Sequence, residues 1–133
     1  MARNIANSYR KAQINTASPG QRVVMMYEGL VRELKKARNS TLKIKDDVQA
    51  IETSHNSFDL SQKIILELKL ALDMQNGGEI AENLNNLYEF WIEQLSDANR
   101  LKDASKISPV IQMAEELKDT WKEAAKKARQ MGS

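Results

Sequence analysis

Two adjacent glycines, Gly77-Gly78, stand between long stretches of helix-spaced apolar residues and set what this chain can fold into. Glycine reaches left-handed backbone conformations without a Cβ clash, so the pair reads as a helix C-cap and tight turn. Beyond it Ile80, Leu84, Leu87, Tyr88, Trp91, Leu95 and Ala98 recur at three- and four-residue steps. That spacing gathers every large apolar group on one face of a helix over about 79–102. A helix of this kind is not stable alone in water, so other helical stretches must cover its face.

Those stretches are present. Ser18-Pro19-Gly20-Gln21 has the form of a helix start: a serine cap, proline at the first helical position and Gln21 completing a capping box. Val23, Met26, Tyr27, Leu30, Leu34 and Ala37 then form one stripe, widened by Val24 and Val31, over about 19–43. The basic residues towards its end (Arg32, Lys35, Lys36, Arg38, Lys43, Lys45) suit the negative end of the helix dipole and read as a solvated helix end before an anionic docking patch. Asp46-Asp47 opens a second helix over about 46–75, with Ile51, Phe58, Ile65, Leu68 and Leu72 as its main face. At 100° per residue Leu66 and Leu70 project away from that face, while Ile64 and Ala71 lie on a third flank. A helix apolar on several sides is central in its domain or faces a partner. After Asp103-Ala104-Ser105 a fourth stripe (Ile107, Val110, Ala114, Leu117, Trp121, Ala124) predicts a helix over about 105–128, with Pro109 tolerated in its first turn. Four helices with short connections predict an all-α, antiparallel up-down four-helix bundle over 18–130. Residues 1–17 precede it as an arm, in which Tyr9 and Ile14 either belong to a partly ordered terminus or dock on an apolar groove of the body.

Composition agrees and excludes several functions. The 133 residues are the size of one domain, with five glycines, two prolines and 41% hydrophobic content. A net charge of +2 gives no argument for a nucleic-acid partner. The chain has no cysteine, which removes disulfides and thiolate chemistry and suits a reducing cytosol. No apolar run is long enough to insert in a membrane and the N-terminus lacks a signal-peptide core, so the expected compartment is the cytoplasm.

No catalytic or cofactor motif in the sequence is complete. Glu52-Thr53-Ser54-His55 has the Glu-x-x-His spacing of di-iron bundles, but such a site needs two copies and this chain has one histidine. Glu115-Glu116 and Asp46-Asp47 are helix-surface charges with no apolar pocket to raise a pKa. Gly77-Gly78 lacks the preceding strand of a phosphate loop. Both tryptophans sit in core stripes. The expectation is a protein that is not an enzyme and holds no metal or cofactor.

Taken in order, Tyr9, Ala12-Gln13-Ile14, Thr16-Ala17-Ser18-Pro19 and Met26-Tyr27-Glu28-Gly29 resemble the opening of the flagellin-specific flagellar secretion chaperone family. Leu72-Asp73, Gly77-Gly78-Glu79-Ile80-Ala81, Asn83-Leu84, Leu87-Tyr88, Leu95, Ala98-Asn99 and Trp121-Lys122 continue the resemblance over nearly the whole chain. Gly20-Gln21-Arg22 and Trp91 depart from it. The resemblance implies an antiparallel four-helix bundle with an N-terminal cap. It also implies a cytoplasmic, non-enzymatic export chaperone that binds the disordered C-terminal segment of flagellin, prevents premature polymerisation and delivers it to the flagellar type III export gate. Regulatory proteins of flagellin are implied as competing partners, and Tyr9 as lying near the export-gate contact. Two other readings are a helical adaptor of the same apparatus with a different client and, more distantly, a nucleic-acid-binding bundle.

For such a client the residues supply a surface. Leu66 and Leu70, with the off-stripe Phe90, Ile92 and Leu101, are the candidate client-binding groove, and Met25, Met74 and Met113 are pliable residues at stripe edges. The alternative for each is that it thickens the core.

Overall fold

The structure, a computed structural model, describes residues 19–132. Four long helices follow one another: α1 (Pro19–Leu42), α2 (Gln49–Leu70), α3 (Gly78–Leu101) and α4 (Ser108–Gly132), with a short 3-10 turn at Ala104–Lys106 before α4. Among the described residues there is no strand. Successive helices run antiparallel. Thr41 near the end of α1 meets Ser54 near the start of α2 through their hydroxyls at 3.2 Å. The ion pairs Lys35–Glu115 (2.9 Å) and Lys122–Glu28 (3.8 Å) align α4 antiparallel to α1. The Ser18 cap, Tyr9 and Ile14 lie outside the described residues.

Helix α1 packs against both α2 and α4, and α2 also packs against α3. The α3 and α4 backbones, by contrast, stay apart along nearly their whole length, and the 3-10 turn ties them together at one end. The core is therefore closed between α3 and α4 by large side chains. Tyr27, Tyr88 and Trp91 are fully buried there, and Trp121 packs against them half-buried. Tyr27 meets Trp91 edge-on at 6.4 Å, and Tyr88 lies 5.5 Å from the same indole. Burial of Leu30, Leu34, Ile65 and Leu95 on the facing stripes contributes about 1.5–3 kcal/mol each. Small residues (Ser54, Ser57, Ser61) fill the α2 face against the core, so α2 is not the all-round apolar helix that its leucines suggested.

Three expectations change. Helix α2 is shorter at both ends than 46–75. Asp46-Asp47 fall in the turn, where the Asp47 carboxylate accepts the Gln49 N–H at 3.0 Å. Leu72 falls past the other end, in the turn that Asp73 organises by accepting the N–H groups of Gln75 and Asn76. Gly77-Gly78 accordingly does not cap the preceding helix: it closes this turn and starts α3. A Cβ on Gly77 would stand 2.5 Å from the Asp73 carbonyl oxygen and 2.6 Å from the Ala81 Cβ, and Gly78 has φ +59°. The first glycine is required for close approach and the second for its backbone angle. Finally, Ile51 and Ile80, assigned to core stripes, are exposed, Ile80 to 71%. Both lie in the first turn of their helices beside a small buried residue, Ala50 and Ala81, which takes the core-facing position there.

Candidate functional site

The candidate site is apolar surface that the bundle does not use. Leu66 (46% exposed), Leu70 (76%), Phe90 (48%) and Leu101 (52%) project from α2 and α3, while Ile92 is half-buried and packs on the core. An apolar side chain left half or more in solvent contributes little to the fold, so a set of them on two helices makes a candidate binding surface.

These five residues do not form one groove. Phe90 and Ile92 are two positions apart, which turns them about 200° around α3. The ion pair Lys69–Glu89 (3.0 Å) fixes which flank faces α2. Ile92 lies one turn from Glu89 on that flank, and Leu66 one turn from Lys69 on the matching flank of α2. Leu66 and Ile92 therefore line the α2–α3 seam, with Leu70 one turn on from Leu66 and Met74 exposed at the turn. Phe90 and Leu101 fall within about 20° of each other on the opposite flank of α3, towards α4. On α4, Glu115 and Lys122 turn to α1 through their ion pairs, which leaves Met113 and Leu117 turned to α3. The second seam is therefore lined by Leu87, Phe90, Leu101, Met113 and Leu117, the leucines 87 and 117 and Met113 being half-buried against the core. From Leu87 to Leu101 it runs for about 21 Å at 1.5 Å per residue, the length of a four-turn helix.

The core beneath this second seam holds a buried polar contact. The hydroxyls of Tyr27 and Tyr88 share a hydrogen bond of 2.6 Å inside the core. Burial pushes the Tyr27 phenol above its ordinary value, against a lowering by its hydrogen bond to Tyr88 and by the nearby Trp121 indole; among the described residues the Trp121 Nε1 itself reaches no partner within hydrogen-bond geometry. Burial, then the proximity of Tyr27, pushes Tyr88 higher still. Both phenols stay neutral, and neither faces a pocket where it could transfer a proton.

Other candidate residues from the sequence behave as surface. His55, Asp46 and Asp47 are exposed, Glu115 is held ionised by the Lys35 ammonium, and no group among the described residues could hold a metal ion. No helix among them is long and apolar enough to cross a membrane. Met113 lines the second seam, Met74 ends the first, and Met25 sits elsewhere, in a cleft between α1 and α4. Ile80, in the first turn of α3, is the exposed residue that periodicity assigned to the core.

Comparison with known proteins agrees with this surface-rich, chemistry-poor bundle. The sequence profile of the family described as flagellar protein FliS matches residues 1–128. The chain is similar to the flagellar secretion chaperone FliS of Salmonella typhimurium, with 32% identity over 118 residues, spanning 89% of this chain and 84% of that protein. It is similar to the flagellar secretion chaperone FliS of Campylobacter jejuni at 32% over 124 residues, spanning 92% and 93%. The Bacillus subtilis protein of the same name is 25% identical over 126 residues, spanning 95% and 90%.

Proposed function

The chain belongs to the flagellar protein FliS family, and from that premise we propose that it is a cytoplasmic export chaperone for flagellin. It binds the disordered C-terminal segment of flagellin, keeps it from polymerising early and delivers it to the flagellar type III export gate. The family is one of chaperones and not of enzymes, in keeping with a site made of apolar side chains. The observation that carries the reading is the pair of apolar seams flanking α3, one with Leu66, Leu70 and Ile92, the other with Phe90 and Leu101. A segment that orders on binding loses conformational entropy, so it needs a long complementary surface to bind tightly. Two seams on opposite flanks of one helix suit a client that wraps the bundle and forms short amphipathic helices in each.

The arm belongs to the same reading. It joins the bundle at Pro19, at the end where the α2–α3 turn leaves Ile80 exposed. This supports a cap in which Ile14 and Tyr9 cover apolar surface until the client arrives, with Tyr9 near the export-gate contact. Regulatory proteins of flagellin would compete for the same surface.

The test is calorimetric titration with a peptide of the cognate flagellin's C-terminal segment at low and high salt. Micromolar or tighter binding, a negative heat-capacity change and weak salt dependence are expected. Leu66→Asp and Phe90→Asp, one per seam, should each weaken binding strongly while the helical melt stays nearly unchanged. Absence of binding at both salts would reject flagellin as the client and leave a helical adaptor for another client of the apparatus. If either variant unfolds the bundle, that residue is core and not groove.

A further inference from the structure

The charge of this bundle is divided across its long axis, and the client seams do not account for it. Helix α1 carries Arg22, Arg32, Lys35, Lys36 and Arg38 against Glu28 and Glu33. Helix α3 carries Glu79, Glu82, Glu89, Glu93 and Asp97 against Arg100. On α4, Lys118, Lys122, Lys126 and Arg129 fall within about 80° of arc on the flank that faces α1, with Asp119 and Glu123 further round the helix. Of the α1 cations, Lys35 and Arg38 stand beside Glu115 of α4, while Arg32 and Lys36 turn to Glu33, so the α1–α4 seam has an excess of basic groups and lies away from the acidic α3. The seam's own carboxylates, Glu28 and Glu115, are each ion-paired across it to Lys122 and Lys35.

This face contains a cleft. It has a volume of about 300 Å³, and Val24, Met25 and Ala125 line it together with Gln21, Glu28, Lys122 and Arg129. Val24 and Ala125 are buried and form its floor, and Met25 is half-buried and adaptable. At the small end of ligand-site sizes, it takes one aliphatic side chain. The rim carries Lys122 and Arg129 against Glu28, the partner of Lys122, so an apolar floor lies beneath an edge of net positive charge, which matches a residue such as leucine with carboxylates beside it.

We propose that the α1–α4 seam is a second docking surface, for an acidic peptide segment of a partner protein that inserts one aliphatic side chain between Val24, Met25 and Ala125. Charge complementarity selects this occupant. A lipid surface would need protruding apolar groups, and the exposed ones on α2 and α3 (Leu66, Leu70, Ile80, Phe90, Leu101) point from the other seams. A nucleic acid would need an unbroken basic track, and Glu28 and Glu115 interrupt this one. The chaperone could then hold its client on α3 while the opposite face engages a partner by charge. This inference does not depend on flagellin being the client.

The test uses the full chain, labelled with nitrogen-15, titrated with the peptide acetyl-Glu-Asp-Leu-Asp-Glu-amide and with its counterpart acetyl-Lys-Lys-Leu-Lys-Lys-amide. Shifts at Gln21, Val24, Met25 and Ala125 with the acidic peptide alone are expected. The double variant K122Q/R129Q should weaken that binding roughly fivefold or more, and M25A should weaken it with the rim charges intact. Both variants should keep the wild-type melt and the affinity for the flagellin peptide. No cleft shifts, unchanged affinity in K122Q/R129Q, or shifts at Leu87 and Phe90 instead would overturn the proposal. So would cleft shifts caused by the flagellin peptide, which would make the cleft part of the client path. Tighter binding of phosphatidylglycerol vesicles or of a 20-nucleotide single strand through the same residues would replace the acidic peptide with a lipid or a nucleic acid.

Discussion

The Tyr27–Tyr88 pair gives a quantitative test of how the bundle closes where the α3 and α4 backbones stand apart. Tyr27→Phe removes one hydroxyl and keeps the ring, so the edge-on contact with Trp91 and the tilted contact with Trp121 at 6.5 Å remain. The Tyr88 hydroxyl, almost completely buried and bonded at 2.6 Å to the one deleted, is then left without its partner. Leaving a buried hydroxyl unpaired costs about 1–3 kcal/mol. Tyr88→Phe should cost a similar amount by the same logic. The double variant Y27F/Y88F leaves no orphaned hydroxyl, so its loss should be smaller than the sum of the single losses and comparable to one of them or less. For a chain of this length about 1 kcal/mol corresponds to roughly 3–5 °C in Tm. Urea melts of the four proteins, with m unchanged, give the double-mutant cycle directly. If the double variant loses the full sum, the two hydroxyls act independently, and the shared hydrogen bond is not what orients α3 against α1.

The same pair fixes an alkaline limit. Both phenols are raised in the folded state above the ordinary value of 10.0, so their contribution is intact below about pH 10 and is lost as pH rises through the folded values. Stability measured against pH should fall above pH 10, more shallowly in Y27F/Y88F; an equally steep fall in that variant would assign it to other groups. At the turn, Gly77→Ala should destabilise by about 1–3 kcal/mol because its Cβ meets the Asp73 carbonyl and the Ala81 Cβ, whereas Gly78→Ala, with open space around it, should cost about 1 kcal/mol from its positive φ alone. Thermal melts showing Gly78 as the more sensitive position would refute that ranking. Deleting residues 1–14 should leave the bundle folded and change client affinity or export; loss of the helical melt would show that the arm is part of the core.

Much of the fold was legible because amphipathic helices write their buried face into the sequence at a fixed angular step. Tyr27, Leu30, Leu34, Phe58, Ile65, Tyr88, Trp91 and Leu95 are core residues by spacing and by structure. Leu66 and Leu70 were legible as surplus for the same reason, since they lie off the stripe and are exposed. Ile51 and Ile80 were misplaced, because in those first turns the small neighbours Ala50 and Ala81 take the buried position, which a stripe of large apolar residues does not record. Leu72 and Asp46-Asp47 were placed in α2 because apolar and dipole signals continue past a helix that backbone hydrogen bonds to carboxylates have already ended.

By itself the sequence determined the number of helices, their core faces, the excess of apolar residues on α2 and α3 and the lack of catalytic groups, since all of these follow from local spacing and residue chemistry. Tertiary structure alone decided that α1 is flanked by α2 and α4 and that the α3 and α4 backbones stand apart. It also decided that Phe90 and Ile92 lie on different flanks of α3, and that Lys35 and Arg38 of α1 share a face with the basic residues of α4, with a cleft in it. Those facts depend on which flank of each helix meets a neighbour. That choice is made by packing between residues distant in the chain, which no local period records.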